Sequence, residues 1–445
     1  MKIIQAIRTE GLDSIAFVGA GGKSTTIFEL AGQVNVPVFI TTTTKISVDE
    51  KELGDRWIEI NSVDDLNSVD FRDLDGITVF TGSQLDENHM GELSPELVER
   101  LYQEALEFGA ILLIEADGAK KKPLKAPLEH EPLIPEFVDL VVVSAGLSGL
   151  GMKLSKESVH RPERFSKLSG LSIGEKIKFD SLVQILVHEE GSLKGIPSGK
   201  KGILHLTQVN SEEVIQAVRK CSDILLGKYS KIILSDLDDK NKIQVKVVIQ
   251  KTAGIILAAG GASRAGQPKQ LLDWFGEPII RKVVKTALES NLTEVVVVTG
   301  ETHQQIEEAI SDLNVKVVKN LDWQSGISSS VRVGMNTVSD DIGAAMFLLA
   351  DQPQIPVRLL NSIIDDFEIN QTSITCPVVD GKRGNPVLFD VSTFPDLIRL
   401  EGDKGGKQLF SKYEVRGVVE FDIRMKYDID TIKDYRDLII ECKKG

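Results

Sequence analysis

Short apolar runs alternate with stretches of helical periodicity along the whole chain. IAFVG (15–19), VPVFITT (36–42), ITVFTG (77–82), AILLIEAD (110–117) and DLVVVSAG (139–146) have strand length and little internal polar alternation. Strands of that kind are buried on both faces, so the pattern predicts a mostly parallel sheet with helices on each side. Residues 151–202 are more polar, but KGILHLTQV and YSKIILSDL resume the apolar pattern and keep this stretch with the first half. A second series begins at AGIILAAGGASRAGQPKQLL (253–272) and continues through EVVVVTG (294–300), VKVVKN (315–320), AAMFLLADQP (344–353) and SITCPVV (373–379).

Two glycine-rich loops, each following a strand, place a boundary near Gln250, giving α/β domains over 1–250 and 251–445. The length of 445 residues agrees, because one hydrophobic core rarely grows past about 250–300 residues. No short-period repeat links the halves. A net charge of −14 repels phosphate backbones and anionic membranes, so neither nucleic acid nor membrane is an expected partner and any phosphate must be held by local groups. Cys221, Cys376 and Cys442 are scattered and odd in number, which supports neither a disulfide framework nor a cysteine-based zinc site. The first residues lack the apolar run of a signal peptide, and no segment approaches the roughly 18 uncharged residues needed to cross a bilayer. The expectation is a cytoplasmic protein.

The first loop, GAGGKSTT (19–26), follows a strand and opens a helical stretch. That order predicts a P-loop-like, three-layer α/β domain. Gly19, Gly21 and Gly22 would let backbone N–H groups approach phosphate oxygens, Lys23 would reach the β- and γ-phosphates, and Ser24 or Thr25 would ligate Mg2+. Phe17 stands where the longer P-loop pattern has glycine, so the loop has the short GxxGKS form. Glu115 and Asp117 end a later strand, where Asp117 would hold Mg2+ or its water. A nonbinding glycine turn, strand-end caps and a solvated lysine face over residues 120–125 are the structural alternatives. Thr41, Thr42, Thr43 and Thr44 add hydroxyls at a strand end, or are threonines placed by β propensity. GAGGKSTT, TTTTKI, IEADGAKKKPLKAP, VHRPERF and ILHLTQVN together resemble the YqeC-type accessory proteins of selenium-dependent molybdenum hydroxylases, over about residues 10–240. The resemblance supplies a context, maturation of a molybdenum hydroxylase, rather than a reaction.

In the second loop, glycines 260, 261 and 266 surround Arg264, and Lys269 follows Pro268. Such a loop can wrap a triphosphate while the two cations neutralise departing pyrophosphate. Asp351 ends the strand AAMFLLA, where α/β sites lie, and its oxygen chemistry suits Mg2+. Asp403, Asp428 and Asp430 could complete that site, or cap strands and helices. LAAGGASRAGQPKQLL, NLDWQSGISSSVRVGM, LLADQP, DGKRGNPVLF, EGDKGGKQLF and DIDTIKDY resemble the MocA branch of the MobA-like nucleotidyltransferases across residues 251–445.

That resemblance implies a Rossmann-like fold of the nucleotide-diphospho-sugar transferase type and transfer of CMP from CTP to molybdopterin cofactor, with release of pyrophosphate. It assigns Leu257, Ala258, Ala259, Gly260, Gly261, Gly266, Arg264 and Lys269 to the triphosphate, and Asp351 to the metal. Ser325, Gly326 and Ser328 fall in the nucleotide-side segment, and Gly384, Asn385 and Pro386 in the substrate-side loop. Ala265 replaces a common methionine with another apolar residue. Guanylyl-transferring relatives tend to read LAGG where this chain has LAAG, so Ala259 favours CTP over GTP. GTP as donor, a sugar or lipid phosphate as acceptor, and a noncatalytic scaffold delivering cofactor to an apo-hydroxylase remain open; the intact Arg264, Lys269 and Asp351 argue against the scaffold. The first domain is expected to bind a second nucleotide, ATP or GTP, with Mg2+.

Overall fold

The computed structural model describes residues 1–260, 268–420 and 422–443, which form two compact units, Met1–Ile249 and Gln250–Gly445.

The first unit is built on nine strands: β1 (Ser14–Gly19), β2 (Val38–Thr42), β3 (Arg56–Glu59), β4 (Ile77–Thr81), β5 (Ile111–Glu115), β6 (Leu140–Gly146), β7 (Ile203–Thr207), β8 (Lys231–Leu237) and β9 (Ile243–Gln250). Their order in the sheet is β9-β8-β7-β6-β1-β5-β2-β4-β3, and every pairing from β8 across to β3 is parallel. Consecutive strand residues serve different cores. Ala16, Val18, Leu112, Ile114, Val141 and Val143 join one cluster, whereas Ile15, Phe17, Ile111, Leu113 and Val142 join another. This is the period-2 alternation of a strand buried on both faces, hence the uninterrupted apolar runs.

Helix α1 (Lys23–Ala31) covers one face with Ile27, Phe28 and Leu30. Helix α2 (Pro95–Phe108) covers the other with Leu97, Val98 and Leu101. Its ends are set by local chemistry: Ser94 accepts from the Leu97 N–H, Pro95 occupies the first turn, and Gly109 closes the helix at φ 66°. Residues 151–202 belong to this unit and contribute Leu154, Phe165, Leu182 and Ile185 to the first cluster.

The second unit repeats the logic with β10 (Thr252–Ala258), β11 (Glu294–Thr299), β12 (Lys316–Lys319), β13 (Ala344–Leu349), β14 (Ile374–Val379), β15 (Lys382–Arg383), β16 (Val387–Asp390) and β17 (Val415–Glu420). The sheet runs β12-β11-β10-β13-β16-β14-β15, with β17 also on β14. β10 to β13 are parallel, whereas β16 is antiparallel to both β13 and β14. Ile256, Val297 and Leu348 face one core and Ile255, Val296 and Phe347 the other. The unit is a Rossmann-like α/β domain whose strands β10 and β13 end side by side. No helix among the described residues is long and apolar enough to cross a membrane.

Candidate functional sites

In the first unit the chain turns sharply where β1 ends. Gly19, Gly21 and Gly22 have φ of 94°, 81° and 112°, conformations that cost other residues energy. Space imposes the same choice: a Cβ on Gly19 would lie 2.2 Å from the Ser144 carbonyl oxygen, and one on Gly21 2.3 Å from the Gly146 nitrogen. The turn is held from below. Thr207 Oγ1 donates to the Gly21 carbonyl, and Thr26 Oγ1 donates to that of Gly22 at 2.9 Å while lying 3.4 Å from Nδ1 of the wholly buried His205.

Lys23 differs from the sequence expectation. Its ammonium turns inward, donates to the Gly19 carbonyl at 2.8 Å and lies 3.2 Å from Asp117 and 3.5 Å from Glu115. With 4% of its surface exposed, it closes the floor of the loop rather than projecting from it. Burial opposes its charge, but Asp117 and Glu115 overcome that and hold its pKa above the ordinary lysine value. Asp117 also accepts both contacts from the Gly19 N–H at 3.0 Å. Ser24 Oγ donates to Glu115 at 3.2 Å, and Thr25 lines the adjoining cavity. The expected hydroxyl, lysine and strand-end acids therefore meet at one point. Of the threonine run, Thr41 and Thr42 donate their hydroxyls to the carbonyls of Phe80 and of Thr44 and Glu115; Thr43 and Thr44 reach the cavity.

That cavity, about 910 Å³, extends from the glycine turn to His160 and Arg161. Its wall carries a ladder of alternating charge that spacing in sequence did not reveal. Lys125 bridges Asp117 at 2.8 Å and Glu131 at 3.0 Å, and Arg161 grips Glu131 through two hydrogen bonds of 2.6 Å. Burial would raise the Glu131 carboxyl, but Arg161 and Lys125 hold it well below the ordinary range. A parallel bridge pairing His160 with Lys125 brings the two segments together. Glu50 was also missed. Burial, and next the Glu115 charge, push its carboxyl up to about 7 beside Ser24. It comes from a short 3-10 helix with no buried residue, and so gave no periodic signal.

In the second unit Leu257, Ala258, Ala259 and Gly260 carry the chain out of β10, with Ala258 and Ala259 buried. Gly261, Arg264, Ala265 and Gly266 lie outside the described residues. Buried Gln270 donates to the Gly260 carbonyl at 3.2 Å and anchors the near side of that loop. Lys269 forms a short ion pair with Asp351 and lies 3.6 Å from Asp430. Asp428 joins them through Gln352, whose side-chain amide donates to it at 2.6 Å. Burial, then the Asp351 and Asp430 charges, push the Asp428 carboxyl above the ordinary range. Asp351 Oδ1 is buried without a hydrogen-bond partner among the described residues. Mutually repelling carboxylates and an orphaned buried oxygen have the chemistry a divalent cation takes, but among the described residues no three such groups stand together as a ready-made metal site, and the Lys269 ammonium is the cation they meet.

Asp403 instead packs against Gly326, where a Cβ would lie 2.4 Å from its Oδ1. Asp403 borders a cavity of about 740 Å³ that Leu257, Asn385, Lys404, Lys407 and Phe410 also line. The serines divide. Ser325 is exposed and donates to Asp322 at 2.7 Å, Ser328 is fully buried, and Ser329 and Ser330 accept from Asn320 at 2.7 and 3.0 Å. Gly384 is tied by its N–H to the Pro377 carbonyl at 2.9 Å, and Pro386 follows the cavity-lining Asn385.

Comparison with known proteins agrees with this division. The YqeC protein family matches residues 15–163, and the MobA-like NTP transferase domain matches residues 254–417. The chain is 30% identical over 203 residues to the protein YqeC of Escherichia coli K12, covering 45% of this chain and 77% of that protein. It is 30% identical over 201 residues to the purine catabolism protein PucB of Bacillus subtilis 168, covering 41% of this chain and 93% of PucB. A probable molybdenum cofactor guanylyltransferase of Bacillus cytotoxicus is 25% identical over 207 residues, 44% of this chain and 100% of its own length. The chain thus belongs to the YqeC family through its first unit and to the MobA-like NTP transferases through its second, which makes that second unit a nucleotidyltransferase domain.

Proposed function

We propose that the second unit transfers CMP from CTP to the terminal phosphate of molybdopterin cofactor, releasing pyrophosphate and forming a cytosine dinucleotide for a molybdenum hydroxylase. The observation that carries this reading is the convergence of Asp351, Asp428 and Asp430 on Lys269 beside the end of β10. Asp351, Asp428 and Asp430 would hold Mg2+, which supplies positive charge to the triphosphate when bound. The acceptor phosphate is already anionic at neutral pH, so no strong general base is required. This chain's contribution is to position the two substrates in line and to neutralise charge on the departing pyrophosphate through Lys269 and Arg264. The choice of CTP rests on Ala259, whose methyl narrows the space next to the loop relative to glycine.

For the first unit we propose Mg2+-dependent binding of a purine nucleotide at the P-loop-like turn of residues 19–25, with Ser24 and Asp117 toward the cation. The left-handed glycines, which let the backbone turn closely, and the helix that starts at Lys23 support it. Lys23 would leave its carboxylates to meet the phosphates, or act from where it stands by fixing the turn.

The deciding experiment incubates the purified protein with molybdopterin cofactor, Mg2+ and each nucleoside triphosphate in turn, following pyrophosphate release and the dinucleotide product. CTP should give the largest kcat/KM. A preference for GTP would remove the cytidylyl assignment, and no turnover with any of the four would remove the reaction.

A further inference from the structure

The position of Lys23 leaves a charge problem at the glycine turn. Its ammonium is engaged by the Gly19 carbonyl, Asp117 and Glu115. The ladder that continues from it sets Lys23, Lys125 and Arg161 against Glu115, Asp117 and Glu131. Three cations meet three carboxylates, so this wall of the cavity has no surplus positive charge. A triphosphate stays anionic with Mg2+ bound, and the chain as a whole carries −14, so neither the ladder nor the long-range field would draw one in. Helix α1 offers N–H groups and partial charge at its start, but an unpaired full cation has to come from elsewhere.

Residues 119–122 form a tight turn in which the Lys122 N–H donates to the Ala119 carbonyl at 3.0 Å. Lys120 and Lys121, at its centre, have left-handed φ of 50° and 55°, as in a type I′ turn but without the glycine or asparagine that makes one easy. Such strain persists only where the surroundings fix it. Here both flanks are fixed. Buried Lys125 donates to the Gly118 carbonyl at 2.7 Å, and the Pro123 carbonyl accepts from the Gly146 N–H at 2.8 Å. A Cβ on Gly21 would lie 2.8 Å from that same Pro123 oxygen, so the lysine turn packs directly against the glycine turn. Lys120, Lys121 and Lys122 line the cavity together with Gly21, Gly22 and Ser24. Among the described residues Lys120 and Lys122 form no ion pair, and Lys121 meets Asp49 at 3.4 Å between two exposed side chains, a bridge that contributes little.

We propose that this lysine turn, rather than Lys23, supplies the cations that meet the terminal phosphates of a nucleotide bound at residues 19–25. Lys23 stays in the floor and shapes the glycine turn, while Lys120, Lys121 and Lys122 give charge-assisted hydrogen bonds to phosphate oxygens from the facing wall. The inference rests on the nucleotide reading of residues 19–25 and names the groups that complete that site.

The test is titration calorimetry of the full chain with MgATP and, separately, with inorganic triphosphate and Mg2+. Lys120→Gln/Lys121→Gln/Lys122→Gln should weaken both about tenfold or more and flatten the fall of affinity with rising KCl. The corresponding triple arginine variant should keep the native affinity within about threefold, since charge and reach are preserved. Lys167→Gln/Lys220→Gln/Lys240→Gln removes the same charge from exposed lysines that do not line the cavity, and should stay within about twofold. Unchanged affinity in the turn variant, or an equal loss in this control, would overturn the proposal. If MgATP does not bind the native chain while inorganic triphosphate binds in a lysine-dependent way, the nucleotide reading fails and the lysine turn stands as a polyphosphate site. If neither binds, both fall. Circular dichroism of the turn variant checks that the unit remains folded.

Discussion

Asp351 and Lys269 are the most informative single residues of the second unit, because each neutralises the other in the absence of substrate. Asp351→Asn preserves shape and removes the charge that a divalent cation would meet. We expect kcat for pyrophosphate release to fall by about 100-fold or more with the fold intact, measured by coupled pyrophosphate assay and circular dichroism. Lys269→Ala should lower kcat more than it raises KM for the triphosphate, since its charge matters most as pyrophosphate departs; a pure KM effect would place it in ground-state binding alone. In the first unit Glu50 sets a pH dependence. Its folded-state pKa of about 7 stands above the ordinary glutamate value of 4.5, so between those values the folded state holds a proton that the unfolded state has lost. Stability must therefore fall as pH rises through this window. Glu50→Gln should match the native protein near pH 4 and exceed it at pH 8 in urea denaturation. The chemistry at this scale was only partly legible. Lys23, Ser24, Glu115 and Asp117 were evident as residue types in a pattern, but the inward turn of Lys23 depends on two buried carboxylates from another strand. Glu50 and Glu131 carried no motif of their own, and Lys125 and Gln352 fell inside motifs that gave them no partner; the role of all four became visible only through their contacts.

Among elements, the glycine turn between β1 and α1 makes the sharpest prediction. Gly21→Ala combines a left-handed φ with a Cβ that would lie 2.3 Å from the Gly146 nitrogen. The neighbouring atoms are backbone and cannot yield cheaply, so a loss on the order of 2 kcal/mol is expected, together with loss of ATP binding in titration calorimetry. Gly22→Ala, where the nearest atom would be 3.7 Å away, pays only for its φ and should unfold less readily. The same scale explains which elements could be read from sequence. The central strands β1, β5, β6, β10 and β13 are buried on both faces and announce themselves as apolar runs. Strand β3 at the sheet edge reads RWIE and is half exposed. Strand β17 reads VRGVVE, with only Glu420 buried. Strand β16 directly follows Pro386 of the substrate-side loop and, with no alternation of its own to mark it, forms the antiparallel link between β13 and β14. Its burial comes from partners far along the chain, which local periodicity does not encode.

At the scale of the whole molecule, two units each place their candidate site residues at the ends of parallel strands, on a chain of net charge −14. Their cores are separate clusters, so a lesion in one site should spare the other. In the full-length protein, Asp351→Asn should abolish pyrophosphate release while ATP binding at residues 19–25 keeps its affinity within about twofold. Titration calorimetry with MgATP checks this, and simultaneous loss of both would show that one triphosphate site serves the entire chain. The ladder Lys23–Asp117–Lys125–Glu131–Arg161 described in the first unit also bears on history. Removing one member strands a buried charge at a cost of about 3–5 kcal/mol, whereas exchanging a whole pair for apolar groups can be nearly neutral. Lineages descending from a common ancestor of this unit should therefore keep or lose neighbouring rungs together, so that substitution at Asp117 is found mainly where Lys125 has also changed. A ladder of this kind is inherited as a block, and its outer end, Arg161, which has Glu131 as its one carboxylate partner among the described residues and is partly reached by solvent, is where divergence can start, whereas Lys23 is locked by both Asp117 and Glu115.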